Sequence, residues 1–280
     1  MNFLRIAAAL LVCAYHAPAA ALNLDDHPAL CQFIGTMAER HGFKVSELQR
    51  LFAKAEIKTD IIEAMERPGE ALPWYQYKKN FVTAEHARKG AEYWRKHAPI
   101  VDKAAATYGV PAEIILAIIG VETQYGRNNG RYAVLDALTT LTLKYPSRAD
   151  FFRRELEEFL LLARDLNADP LAFKGSYAGA IGIGQFMPSS YRAYAVDFDN
   201  DQQRDLIKSH ADAIGSVANY FQKHGWQTGA PVIAGARVGS NMYEPLNMQD
   251  LETKFTGQQL ARYGIVPLAE IDGGSTVNII

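Results

Sequence analysis

Apolar positions recur through most of the chain at intervals of three and four residues, the spacing of one helix face, and the pattern predicts a mainly α fold. Short helices are expected over residues 29–41 and 46–54, and a long amphipathic helix over Thr83–Tyr108, with Thr83 as N-cap and Glu85 near the first turn. Gly109-Val110-Pro111 breaks that pattern, and Pro111 opens a further helix running to about Tyr125. Ser147, after Pro146, is expected to cap the amphipathic stretch RADFFRRELEEFLLLARDL; another helix is expected over Asp212–His224, with Gly225 as its C-cap. EALPWYQY, residues 70–77, reads as an aromatic-rich connection. Residues 174–195, KGSYAGAIGIGQFMPSSYRAYA, show no single period. After about residue 229 the helical pattern weakens: PVIAGARV alternates in part and STVNII is β-prone, so small β elements are expected near the C-terminus.

One residue interrupts the pattern. Ile115, Ile118, Ile119 and Glu122 share a helix face, so a carboxylate occupies an apolar stripe. Burial there, together with the negative end of the helix dipole, is expected to push its pKa upward, as a general acid requires. The alternative is a structural glutamate paired with Arg127 or Arg131.

The Gly-rich segment lacks the spacing of a dinucleotide turn and no GK[ST] follows, so its small residues point to close backbone approach, either to a helix or to an extended ligand. Ser176, Gln185 and Ser189 offer hydrogen bonds to a hydroxyl-rich ligand, and Tyr125, Tyr132, Tyr177 and Tyr191 offer flat faces for sugar rings, although aromatics at helical spacing more often pack in a core. In AVDFDNDQQRDLIKSHAD, Asp197, Asp199, Asp201 and Asp205 fall at positions 1, 3, 5 and 9 of an EF-hand-like loop, with Gln203 at position 7. Position 6 is Gln202 instead of Gly and position 12 is Lys208 instead of Glu, while Asp212 is placed to close the site; the alternative is a solvated acidic loop. HExxH, a Cys/His cluster and GxSxG are absent, and the histidines, such as His41, His97 and His224, read as surface or capping residues.

Composition adds limits. The 280 residues are 49% hydrophobic and 21% charged, enough for a sizeable core, and the net charge of −2 gives no basic field for nucleic acid. Residues 1–21 read as a secretory signal peptide: Arg5 is the positive end, Ile6–Tyr15 falls short of the roughly 20 residues a span needs, and Ala17-Pro18-Ala19 and Ala19-Ala20-Ala21 suit cleavage. Cys13 raises an outer-membrane lipid anchor as the less favoured alternative, because Val12 before it is bulky. Cleavage leaves Cys31 as the one cysteine, without an internal disulfide.

Three stretches, GVPAEIILAIIGVETQYGR, KGSYAGAIGIGQFMPSSYRAYAVDF and DAIGSVANYFQKHGW, together resemble the lytic murein transglycosylase B family. The resemblance implies a lysozyme-like helical domain over residues 22–280 with a cleft for peptidoglycan glycan strands, and a periplasmic location. It implies Glu122 as the one catalytic glutamate, substrate contacts from Tyr77, Ser176, Gln185 and Tyr220, no catalytic cofactor, and a structural Ca2+ at Asp197, Asp199, Asp201, Gln203 and Asp212. Phe151 stands where the family often has tyrosine. The implied reaction cleaves the bond between N-acetylmuramic acid and N-acetylglucosamine and closes a 1,6-anhydro ring without water. Proteins of cell-wall synthesis or remodelling are further candidate partners. Family members continue into a segment of the type NFxxITRYNxSxxYA, which is not found before STVNII, so an inactive peptidoglycan-binding or scaffold relative stays open as the alternative. A lysozyme-type hydrolase would want a second carboxylate near the cleft.

Overall fold

The computed structural model describes residues 22–67, 72–239, 255–269 and 276–279, so the signal-peptide and Cys13 expectations lie outside the described residues. The first helix, α1 (Pro28–His41), starts on a proline and ends at Gly42, whose φ of +70° suits a residue without Cβ. It buries Leu30, Phe33, Ile34 and Met37. Next come α2 (Val45–Phe52), α3 (Thr59–Glu66) and a short α4 (Trp74–Tyr77), where the sequence reads a connection. The long α5 (Ala84–Tyr108) is capped as expected: Thr83 Oγ1 accepts from the His86 amide at 3.1 Å. Pro99 interrupts α5, because it has no N–H for the preceding turn, and His97 takes up the kink with φ −115° and ψ 15°.

At Gly109–Pro111 the chain turns through 115° into α6 (Ala112–Thr123), with Pro111 at its N-cap. The strand β1 (Tyr132–Ala133) leads into α7 (Val134–Lys144), which the sequence pattern does not reveal. The reason is its position: every residue from Val134 to Leu141 is buried, so no polar face marks its period. Its buried polar groups are used. Asp136 Oδ1 accepts from the Glu56 amide at 2.9 Å and Thr140 Oγ1 from the Lys58 amide at 3.0 Å, which ties the segment before α3 to the core. Burial pushes the Asp136 carboxyl above its usual range, against that backbone hydrogen bond.

The helix α8 (Ala149–Asp165) packs along α7. Ser147 does not cap it; Pro146–Arg148 form a 3-10 turn and Arg148 occupies the N-cap without a side-chain bond. The strand β2 (Lys174–Gly175) pairs antiparallel with β1, Tyr132 opposite Gly175. Then follow α9 (Pro188–Tyr194) and α10 (His210–Lys223). Ser209 Oγ accepts from the Asp212 amide at 3.1 Å to cap α10, which packs against both α5 and α6. The C-terminal part supplies the expected small β elements: β3 (Ala236–Val238), β4 (Phe255–Thr256), a short α11 (Gly257–Arg262), β5 (Ile265–Pro267) and β6 (Thr276–Val277). The strands pair β3 with β5 and β4 with β6, both antiparallel. The mainly helical class with small β elements near the C-terminus is therefore the observed one.

Candidate active site

The interruption at Glu122 resolves into two faces of α6. Ile115, Leu116, Ile119, Gly120 and Thr123 are buried in the core. Ile118 and Glu122, four residues apart and so one above the other, face a pocket of about 260 Å³. Glu122 is exposed to solvent, which corrects the expectation of burial: the stripe that reads as core continues as the wall of a groove. The opposite walls come from Gly184, Gln185, Phe186 and Met187, from Ser190 on α9, and from Val217, Tyr220 and Phe221 on α10. Among the described residues that line this pocket, Glu122 is the only carboxylate.

The Gly-rich segment builds its wall by folding tightly on itself. Ser176 and Ala180 are joined by an amide-to-carbonyl bond of 2.9 Å, and Ile181 and Phe186 exchange two at 2.8 and 3.0 Å. Two glycines are required by backbone contact. A Cβ on Gly175 would lie 2.2 Å from the Ala180 carbonyl oxygen, and one on Gly182, at φ +78°, 2.3 Å from that of Leu206. Close approach of backbone to backbone therefore explains these small residues.

Gln185 and Tyr220 both line the pocket. Gln185 sits at φ +50°, and its side-chain amide donates to the carbonyls of Gly182 at 2.9 Å and Asn129 at 3.3 Å. Tyr220 stacks on His224 with ring centroids 3.9 Å apart and meets Phe186 edge-on at 5.8 Å, which fixes an aromatic surface at the pocket rim. Ser176 is not part of the lining; its Oγ accepts from the Ala180 amide at 3.0 Å and holds the turn. Tyr77 is also outside it. From α4, Tyr77 packs on Phe81, Phe81 on His86, and His86 Nε2 lies 3.1 Å from the Gly120 carbonyl oxygen, so it abuts α6 through two intermediaries. Ser189 is engaged by Glu155, and the buried Tyr191 donates to the Arg204 carbonyl and accepts from the Leu206 amide; neither lines the pocket.

Thr123 is missed by sequence reasoning. Its position four residues after Ile119, on the core stripe, is the signal that could have found it. Its hydroxyl lies 2.7 Å from the Ile183 carbonyl oxygen and 3.2 Å from that of Ile119, and it accepts from the Gly126 amide at 2.9 Å. Past it, Gln124, Tyr125 and Gly126 all take left-handed backbone conformations, with φ of 51°, 65° and 80°.

Behind this turn the expectation of surface or capping histidines fails for His97. His97 is buried, with its ring 4.5 Å from Tyr93 and 4.7 Å from His210. His210 Nδ1 lies 2.9 Å from the Tyr93 hydroxyl. Burial, then the neighbouring His210 and Lys96, lower the His97 pKa to about 4; burial lowers that of His210 as well. His41 is half-buried against Glu157, and His224 caps α10 beneath Tyr220.

In the acidic loop, carboxylate oxygens of Asp197, Asp199 and Asp212 lie within 4.8 Å of one another. Asp212 is fully buried and accepts from the Phe198 amide at 2.7 Å and the Asp205 amide at 2.8 Å. Burial, and then Asp199 and Asp197, push its carboxyl above the usual range, while the two backbone bonds oppose this. Three hard oxygen donors, one of them a buried carboxylate, suit a divalent cation such as Ca2+. Asp201 is not brought into the group, since its carboxylate accepts from the Gln203 amide at 2.8 Å. Asp205 is likewise turned to the Ile207 and Lys208 amides. Gln202, where an EF-hand loop has glycine, adopts φ +70° regardless.

The transglycosylase SLT domain family matches residues 25–278. The membrane-bound lytic murein transglycosylase B of Escherichia coli is 42% identical over 255 residues, which are 88% of this chain and 69% of that protein. The soluble lytic transglycosylase SltB1 of Pseudomonas aeruginosa superposes with a TM-score of 0.82 at 44% identity, over 90% of this chain and 84% of its own. The Escherichia coli lytic transglycosylase Slt35, solved in complex with calcium, superposes with a TM-score of 0.83 at 40% identity, over 94% of this chain and 83% of its own.

Proposed function

The chain belongs to the transglycosylase SLT domain family, and on that premise we propose that Glu122 is the acid and base of its reaction. The protein is a peptidoglycan lytic transglycosylase, a carbon–oxygen lyase that cleaves the β-1,4 bond between N-acetylmuramic acid and N-acetylglucosamine and leaves a 1,6-anhydro-N-acetylmuramic acid end. The inactive, purely binding relative that the sequence left open is set aside, since the similar proteins are named as lytic transglycosylases.

The observation that carries the mechanism is the single carboxylate lining the pocket. Most glycosidases place two carboxylates across the bond, and substrate-assisted ones dispense with the second. Glu122, protonated, donates to the glycosidic oxygen, and the substrate's own 2-acetamido group stabilises the positive charge at the anomeric carbon. The carboxylate so formed takes the proton of the C6 hydroxyl, whose oxygen attacks that carbon and closes the anhydro ring. Apolar walls from Ile118, Phe186, Met187 and Val217 limit entry of the water that would divert the reaction to hydrolysis. The rigid Tyr220 face and Gln185 suit contacts to the sugars, and the same role for Tyr77 and Ser176 rests on the resemblance.

The Asp197, Asp199 and Asp212 group is the proposed structural Ca2+ site, supported by its donor chemistry and by the calcium bound in Slt35. Residues 22–280 are proposed as one lysozyme-like domain acting on glycan strands in the periplasm, exported by the segment before it. Mass spectrometry of products from purified peptidoglycan tests the mechanism: anhydromuropeptides are expected from the native protein and none from a folded Glu122→Gln variant. Reducing-end products would make it a hydrolase, and turnover by Glu122→Gln would remove Glu122 from the chemistry.

A further inference from the structure

We infer that Thr123 is a positioning residue that sets the distance between Glu122 and the opposite wall of the pocket; the inference rests on Glu122 acting as the acid and base. The carboxylate is carried by the penultimate residue of α6, where the regular helix gives way to a turn: the Gly120 carbonyl accepts from the Gln124 amide at 3.0 Å, that of Ile119 from Tyr125 at 3.2 Å and that of Thr123 from Arg127 at 2.9 Å. A side chain so placed is only as well fixed as the helix end beneath it. Backbone bonds hold this turn to its own helix, and a buried hydroxyl ties it to the opposite wall. The Oγ1 of Thr123, 1% exposed, reaches back to the Ile119 carbonyl at 3.2 Å and across to the Ile183 carbonyl at 2.7 Å, while accepting from the Gly126 amide at 2.9 Å.

Each of these three partners bears on the site. Ile119 belongs to the core face of α6. Ile183 lies two residues before Gln185 in the opposite wall, and its own amide is bonded to the Leu206 carbonyl at 2.8 Å. Gly126 ends the left-handed run from Gln124, a backbone conformation that costs about 1–2 kcal/mol for each residue with a Cβ and persists only where surrounding contacts impose it. Tyr125 supplies the second restraint on this turn. Its hydroxyl end fills the slot over Gly90 and Gly120, where added Cβ atoms would come within 2.5 and 2.7 Å of it. The acid, the turn after it and the Gly-rich wall thus meet at the Thr123 oxygen. A hydroxyl is needed because the position must both donate and accept; valine has the same shape and does neither.

Thr123→Val, Thr123→Ser and Glu122→Gln are compared in the full chain on soluble uncrosslinked glycan strands, with rates per folded molecule. A displacement of about 1 Å costs on the order of 10²-fold, so Thr123→Val is expected to lower kcat by that order. KM should stay within about twofold, because the pocket walls that hold the sugars remain. Thr123→Ser, which restores the hydroxyl, is expected to recover kcat to within a few-fold. Unchanged kcat in Thr123→Val overturns the inference, and so does a Thr123→Ser as slow as the valine variant, which would make the methyl group the important part. If Thr123→Val does not fold, Thr123→Cys, with a weak donor of similar size, takes its place and is held to the same kcat loss. An active Glu122→Gln overturns this inference together with the role of Glu122, whereas an inactive one beside a fully active Thr123→Val overturns this inference alone.

Discussion

His97 makes acid stability a direct readout of the packing behind the active helix. In the folded protein its ring packs against both Tyr93 and His210, which also touch each other, and among the described residues its Nε2 has no hydrogen-bond partner. Burial penalises the charged imidazolium, and the neighbouring His210 and Lys96 disfavour it further, so the pKa drops from 6.5 to about 4. Once unfolded, the same imidazole titrates near 6.5. Between these two values the unfolded chain binds the proton and the folded one does not, so stability is full above about pH 6.5 and falls as the pH drops toward 4. The size of that loss is about 3 kcal/mol at most, a large share of the roughly 5–15 kcal/mol that holds a typical domain together. The perturbation is His97→Phe, which fills a similar volume without a titrating nitrogen, and the assay is the melting temperature from pH 7 to 4. At about 2–4 °C per kcal/mol, the native protein should lose several degrees more than the variant across this window. Asp136 and Asp212, whose pKa values are raised, act with the opposite sign and are common to both proteins. Parallel curves for the two proteins between pH 6.5 and 4 would refute the buried, neutral His97.

Calcium at about one hundred times its Kd should stabilise the native protein by about 2.7 kcal/mol, seen as a higher melting temperature than in chelator. Asp212→Asn should abolish that increment, and equal melting of the native protein in both buffers would remove the metal from the account. Gly182→Ala should destabilise by about 2 kcal/mol or more in denaturant titration, because the new Cβ meets the Leu206 carbonyl oxygen at 2.3 Å on a backbone at φ +78°. A loss under about 0.5 kcal/mol would show that this loop yields more readily than its packing implies.

The amino-acid sequence by itself determined the helical class, most helix limits and the family, because these rest on local signals: a 3.6-residue period, the Thr83 cap, the Gly109–Pro111 break and three long motifs. It also marked Glu122 as anomalous, from a single charge on an apolar stripe. What that charge faces was decided only in three dimensions. Whether Ile118 and Glu122 meet core or solvent depends on α9, α10 and the Gly-rich wall, all more than sixty residues away, and these leave a groove where periodicity alone implies a core. The same holds for α7, which is surrounded and so carries no amphipathic signature, and for His97, which reads as a surface residue until the Pro99 kink turns it toward His210. Thr123 is the sharpest case. Its place on the core stripe marks it as buried, but does not show that its hydroxyl joins the end of α6 to Ile183, sixty residues on, because that bond is a property of the packed chain and of no segment within it.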